Sequence, residues 1–306
     1  MTGITRRDFV ALTAAGAVAT PFVLDDALAR TAATVTAQEI VDRVKKNIGL
    51  DWASDDVDTF KAGDPSTAVA GIVTTSMATL DVLRKAVDAG ANFIVTAAPT
   101  FYSKADRNTP SAGRGAAPAS APPADPVYAG KNAFIEKHHL VVFRLTQHWN
   151  RRTPDPRAQG LANAMGWTKY QAGGDALRYA LPGMTLDALA SQLKKTLGTR
   201  GGIRAIGDRA MTVRTIGLLP GYSLIQAAVA MMPNVDAIVA GEVQEWESAA
   251  YAQDVAFAGV KKGFISIGRV VNEAPGMRVC ADWLRTIVPE VPIRYISAGD
   301  PYWRPL

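Results

Sequence analysis

A chain of 306 residues that is 48% hydrophobic and 20% charged can fill one large or two modest domains and is too apolar to be disordered. Its single cysteine, Cys280, excludes an internal disulfide and a thiolate cluster, and its three histidines (His138, His139 and His148) leave few imidazoles for a transition metal. The net charge of +5 comes from basic residues scattered along the chain, so no nucleic-acid partner is expected.

The N-terminus reads as a targeting segment. Thr5-Arg6-Arg7-Asp8-Phe9-Val10 is a twin-arginine motif, an apolar run continues to Leu24, and Ala27-Leu28-Ala29 is an A-x-A cleavage site. The run is too short for a lasting membrane span. Residues 1–29 are therefore expected to be a signal peptide, with the product periplasmic or secreted. Cleavage would remove two arginines and three aspartates, raising the net charge to +6.

The remaining chain alternates strands and helices. Residues 36–48 are expected to be a helix with a capping box, Thr36 and Glu39. Val69–Thr75 reads as a strand, Ala78–Ala89 as a helix and Asn92–Thr96 as a strand, which together make a βαβ unit. Pro110–Pro126 is rich in Ala, Pro, Ser and Gly and reads as a surface loop. Ala129–Lys137 is a predicted helix, Leu140–Leu145 a strand, and Pro156–Met165 and Leu186–Leu197 helices. Gly198–Gly207 reads as a surface turn.

A second βαβ pattern follows. It consists of strand Thr212–Leu218, a turn at Leu219-Pro220-Gly221-Tyr222-Ser223, helix Leu224–Met232 and strand Ala237–Ala240. Helix Ser248–Phe257, strand Gly263–Ile267 and helix Gly276–Ile287 complete the pattern. The fold class is α/β, with a first lobe at about 36–150 and a second at about 210–306 enclosing a cleft. Helices in 156–200 link the two lobes.

Several residues are singled out and read conservatively. Cys280 is expected to be a small buried hydrophobe, and His138-His139 a capping pair. Phe101, Trp149 and Trp246 are expected in the core. Ser76, Thr100 and Ser223 lack a histidine–carboxylate set nearby in sequence, so nucleophilic catalysis has no support.

Three groups of residues carry a resemblance. They are Gly63-Asp64-Pro65, the stretch Gly71–Leu83 with Ala91–Thr96, and Gly241-Glu242 with Glu245-Trp246-Glu247 followed by Gly268–Met277. In that order they resemble the two lobes of the Nif-three-like family, a ring-hexamer family with a dinuclear metal centre, often labelled type 2 GTP cyclohydrolase I. The resemblance covers nearly all of residues 30–306 and implies a homo-oligomer. It also implies metal ligands at the tip of the first central strand, where this chain has Ala97 and Ala98. A further ligand is implied near His148, and a His and a Glu four apart, where this chain has Arg269 and Glu273.

Two alanines and an arginine at ligand positions leave too few donors to offset the repulsion of two adjacent cations. The expectation is an exported protein with a largely lost metal centre that binds a small, anionic molecule or serves as a scaffold. No cofactor is expected on this reading. The alternative is a metal-dependent hydrolase with a mononuclear site on Glu273, His148 and one of Glu242 or Glu245. Glu242, Glu245 and Glu247 are equally explained as carboxylates at a helix start. Arg269 can hold a ligand carboxylate or phosphate, or simply pair with Glu273.

Overall fold

The structure is a computed structural model and describes residues 35–53, 57–110, 125–303 and 305. The twin-arginine segment and most of the Ala/Pro-rich loop lie outside the described residues. Among the described residues, the first lobe contains α1 (Ala37–Ile48), β1 (Phe60–Ala62), β2 (Ile72–Thr75), α2 (Leu80–Asp88), β3 (Phe93–Thr96), α3 (Pro126–Lys137) and β4 (Val141–Arg144). Next come α4 (Gln147–Asn150), α5 (Pro156–Met165), β5 (Arg178–Thr185), α6 (Leu186–Leu197), β6 (Arg204–Ile206), β7 (Thr212–Tyr222) and α7 (Ile225–Met231). The chain ends with β8 (Ala237–Glu242), a π-helical turn at Glu245–Ala249, α8 (Ala250–Phe257), β9 (Gly263–Ser266), α9 (Arg269–Ile287) and β10 (Ile293–Tyr295).

Among the described residues two five-stranded sheets result, in the orders β1-β4-β3-β2-β10 and β5-β7-β8-β9-β6. In the first sheet β10, β2, β3 and β4 run parallel and β1 is antiparallel at one edge. In the second, β7, β8 and β9 run parallel between antiparallel edges. The lobes interleave, because α9 leaves the second sheet and β10 then pairs with β2 of the first. The α/β class and two-lobe plan expected from the sequence are present.

Local chemistry explains most elements. The Thr36 hydroxyl accepts from the Glu39 amide and the Glu39 carboxylate from the Thr36 amide, a closed capping box. Helices α2 and α6 begin on threonine caps, Thr79 and Thr185. β2, β3 and β4 are buried along their whole length, as parallel strands covered on both faces must be.

Four expectations need correction. The stretch 219–223 is mostly strand, not a βα turn, since β7 runs to Tyr222. Pro220 has no N–H for the ladder, and the register with β8 shifts between Leu219 and Tyr222, with Gly221 at φ +71°. The Gly-rich stretch 198–207 contains β6, held by β9. The linking region 156–200 contains β5, which pairs with β7 and so opens the second sheet. The last helix starts at Arg269 rather than Gly276 and carries Pro275 inside it.

Candidate functional site

The C-terminal ends of both sets of parallel strands meet at the first turns of α9, the place where open α/β sheets put their ligands. Thr74 in β2 donates to the Met277 carbonyl at 2.7 Å, one helical turn after Glu273. On the other side, the Gly221 amide donates to Asn272 Oδ1 at 2.8 Å and the Gly268 amide to the Gly241 carbonyl at 3.1 Å. The N-terminal end of α9 thus bridges the tips of β2, β7 and β8.

At the tip of β3, Ala97 is buried in the core of the first sheet and Ala98 is half-buried. The Ala97 carbonyl accepts from the Thr146 hydroxyl, which in turn accepts from Arg144 Nε at 3.0 Å. Arg144 closes β4 and is buried. Its Nη1 donates to the Lys104 carbonyl at 3.2 Å and lies 3.8 Å from Asp106 Oδ2. Burial pushes the Arg144 pKa down and Asp106 and Asp58 oppose this, while Arg269 adds a further downward push. That last and smallest effect comes from a guanidinium carried by α9.

Glu273 is buried and faces two cations. Its Oε2 accepts from Arg269 Nε at 3.2 Å, and its Oε1 is 4.0 Å from Arg157 Nη1. Arg157 is itself fixed on Asp155 by two bonds, of 3.1 and 2.7 Å. A Cβ on Gly221 would come within 2.5 Å of Glu273 Oε1 and 2.9 Å of Arg157 Nη1, so a larger residue here, already strained at φ +71°, would push these two side chains aside. Among the described residues, neither Nη nitrogen of Arg269 and not the Nη2 of Arg144 has a partner. Arg144 of β4 and Arg269 of α9 thus each keep donors to spare.

The other candidates fall elsewhere. His148 is buried on α4; its Nδ1 lies 2.9 Å from Asp58 Oδ2 and its Nε2 3.1 Å from the Asp51 carbonyl. Its ring stacks on Trp52 with centroids 3.5 Å apart. Both ring nitrogens lie against oxygen atoms within the first lobe, so His148 is engaged there. Asp58 is anchored by the amides of Thr146, Gln147 and His148. Glu245 pairs with Arg204 at the surface and lines a separate cavity of about 300 Å³, so it is not brought to Glu273. The Glu242 side chain is exposed at the end of β8. Among the described residues, no group of three or more His, Cys, Asp and Glu is placed to hold a metal ion.

Phe101, Trp149 and Cys280 are buried as expected, and burial drives the Cys280 thiol far up from its ordinary pKa. Trp246, expected in the core, is 74% exposed on the π turn. His138 caps α3 and packs against the Phe134 ring, and His139 follows it at φ +48°.

The sequence reading missed the loop after β3. Lys131 of α3 is buried, donates to the Thr100 carbonyl and lies over the rings of Phe101 and Tyr102. Asp106 Oδ1 accepts from the Phe101 amide at 2.6 Å, so Lys131 and Asp106 grip opposite edges of one peptide group. Tyr102 and Asp106 both have positive φ, strain that such a grip can hold.

Burial lowers the Lys131 pKa to about 8, against the smaller opposing pull of Asp106. A lysine with a folded pKa below its unfolded one costs stability below pH 8, and that cost is relieved as pH rises toward 10.5. Wild-type stability is therefore expected to gain from this group between pH 8 and 10, by at most about 3 kcal/mol. Denaturant titrations across that range should show the gain in wild type and its loss in Lys131→Met. Parallel pH profiles for the two proteins would refute the assignment.

The fold is that of the NIF3-related proteins, in agreement with the resemblance carried by the sequence. A Bacillus cereus protein related to NIF3 matches with a TM-score of 0.66 at 15% identity, covering 89% of this chain and 100% of that one. Staphylococcus aureus protein SA1388 matches at 0.65 and 14%, with the same coverage. TTHA1606 from Thermus thermophilus matches at 0.58 and 14%, over 88% and 99%. At these identities the likeness is one of fold. No protein-family model and no curated protein matches the sequence. No helix among the described residues is long and apolar enough to cross a membrane.

Proposed function

We propose that this NIF3-like chain binds a small anionic molecule in the cleft between its sheets, with Arg144 and Arg269 in place of a pair of metal ions. One observation carries the reading: two guanidinium groups, on β4 and on α9, act against one another electrostatically and retain nitrogens without partners among the described residues, and Arg144 is linked through Thr146 to the Ala97 carbonyl at the tip of β3. An anion seated between them would relieve that repulsion and accept charge-assisted hydrogen bonds from both. Glu273 neutralises part of the charge and orients Arg269, and Asp106 does the same for Arg144. A divalent cation in the same space would meet two fixed positive charges.

Bound anion stabilises the folded state by mass action. A panel of inorganic phosphate, citrate and short dicarboxylates is therefore expected to raise the thermal midpoint of wild type. The shift should vanish in Arg269→Gln and Arg144→Gln. Absence of any shift across the panel, or equal shifts in the variants, would remove the reading. The same reading retains the export and self-association expected from the sequence. Signal-dependent appearance in the periplasm and sedimentation of the mature chain test those two parts.

A further inference from the structure

A second concave site lies on the opposite face of α9. A groove of about 490 Å³ runs between α5, the end of α6, α9 and the segment after β10. That volume suits a metabolite-sized ligand. Its walls are largely apolar, with Leu197, Val271, Ala274 and Val279 among them. The residues of α9 that line it (270, 271, 274, 275, 278, 279 and 282) lie on the other side of the helix from those that face the cleft (269, 272, 273 and 276), so the two sites share a helix and no side chain.

The groove holds one uncommitted charge. Asp282 pairs with Arg285, and Asp300 accepts from the amides of Arg200, Gly201 and Tyr302 at 2.9, 2.7 and 3.0 Å. Arg278 has neither an ion pair nor a hydrogen bond among the described residues, and its guanidinium lies 4.7 Å from the centre of the Tyr295 ring. The guanidinium lies over the ring, and its nitrogens are left without partners among the described residues. That arrangement suits two parallel hydrogen bonds to a planar acceptor.

We infer that this groove is a binding site for a small monocarboxylate with an apolar body, its carboxylate on Arg278 and its body against Val271, Ala274 and Val279. Among the described residues Arg278 is the one cation lining the groove, which Asp282 and Asp300 also line, so it matches one negative charge, whereas a phosphate dianion would bring a second charge that faces those carboxylates with no partner. The inference does not depend on the anion reading of the cleft.

Calorimetric titration of the purified protein with hexanoate and phenylacetate tests it, with hexylamine and inorganic phosphate as contrasting probes. Saturable binding of the two carboxylates is expected. It should weaken about tenfold or more in Arg278→Gln and be lost in Ala274→Leu, which fills the groove. It should persist in Arg144→Gln, which alters only the cleft. Circular dichroism and the thermal midpoint of each variant establish that it is folded. Undetectable binding of both carboxylates to wild type, or equal binding in Arg278→Gln, would overturn the inference. So would hexylamine or phosphate binding as well as the carboxylates.

Discussion

Replacing Gly160 by valine is expected to lower stability by about 3 kcal/mol or more, the cost of forcing volume into a closed backbone contact. A Cβ at Gly160 would lie 2.4 Å from the Pro275 carbonyl carbon and 2.5 Å from the Gly276 nitrogen. These are main-chain atoms, so no side-chain rotation can relieve the clash and α5 must move away from α9. Gly276 answers from the other side, where a Cβ would meet the Arg157 Cα at 2.9 Å. The pair lets the helices touch, and this contact places Arg157 beside Glu273. Gly160→Val should therefore weaken anion binding as well as shift the denaturant midpoint. A variant as stable as wild type would show that the close approach does not define the native packing.

Glu273→Ala is expected to cost about 2–4 kcal/mol. Removing one partner of a buried ion pair leaves the other charge uncompensated, typically at about 3–5 kcal/mol. Glu273 is buried, but the Arg269 side chain is 40% exposed, so solvent screens part of the effect. The loss also frees Arg269 to repel Arg144 without its nearest counter-charge. Adding Arg269→Gln to Glu273→Ala should consequently recover part of the stability, a coupling that a double-mutant cycle reads directly. Strict additivity of the two substitutions would mean that Glu273 does not act through Arg269.

The sequence revealed those parts of the molecule whose cause is local. The capping box at Thr36 and Glu39 and the bounds of α5 and α6 follow from caps and periodicity within a few residues. The parallel strands β2, β3 and β4 follow from short apolar runs. The edges of the second sheet were less legible. β5 contains Pro182 and Gly183 and is mostly exposed, so neither composition nor alternation marks it as a strand. β6 is three residues long inside a Gly-rich stretch, and only its pairing with β9 defines it.

The site divided in the same way. Arg269 and Glu273, four apart on one helix, were readable as a pair. Arg144 was hidden inside the strand Leu140–Leu145, although a lone charge in an apolar run is a signal in its own right, because a buried charge needs a partner. Asp58, which anchors His148 from 90 residues away, has no local signature. Its role emerges only when β1 and β4 pair. His148 looked like a ligand because imidazole near a strand end is common in metal sites, yet here folding commits both its nitrogens.

Anomalous diffraction from crystals of the purified protein grown with phosphate or sulfate tests the central claim most directly. The account predicts a tetrahedral anion between the guanidinium groups of Arg144 and Arg269, with no metal signal in the cleft. A pair of anomalous scatterers between Ala97 and Glu273 would contradict it.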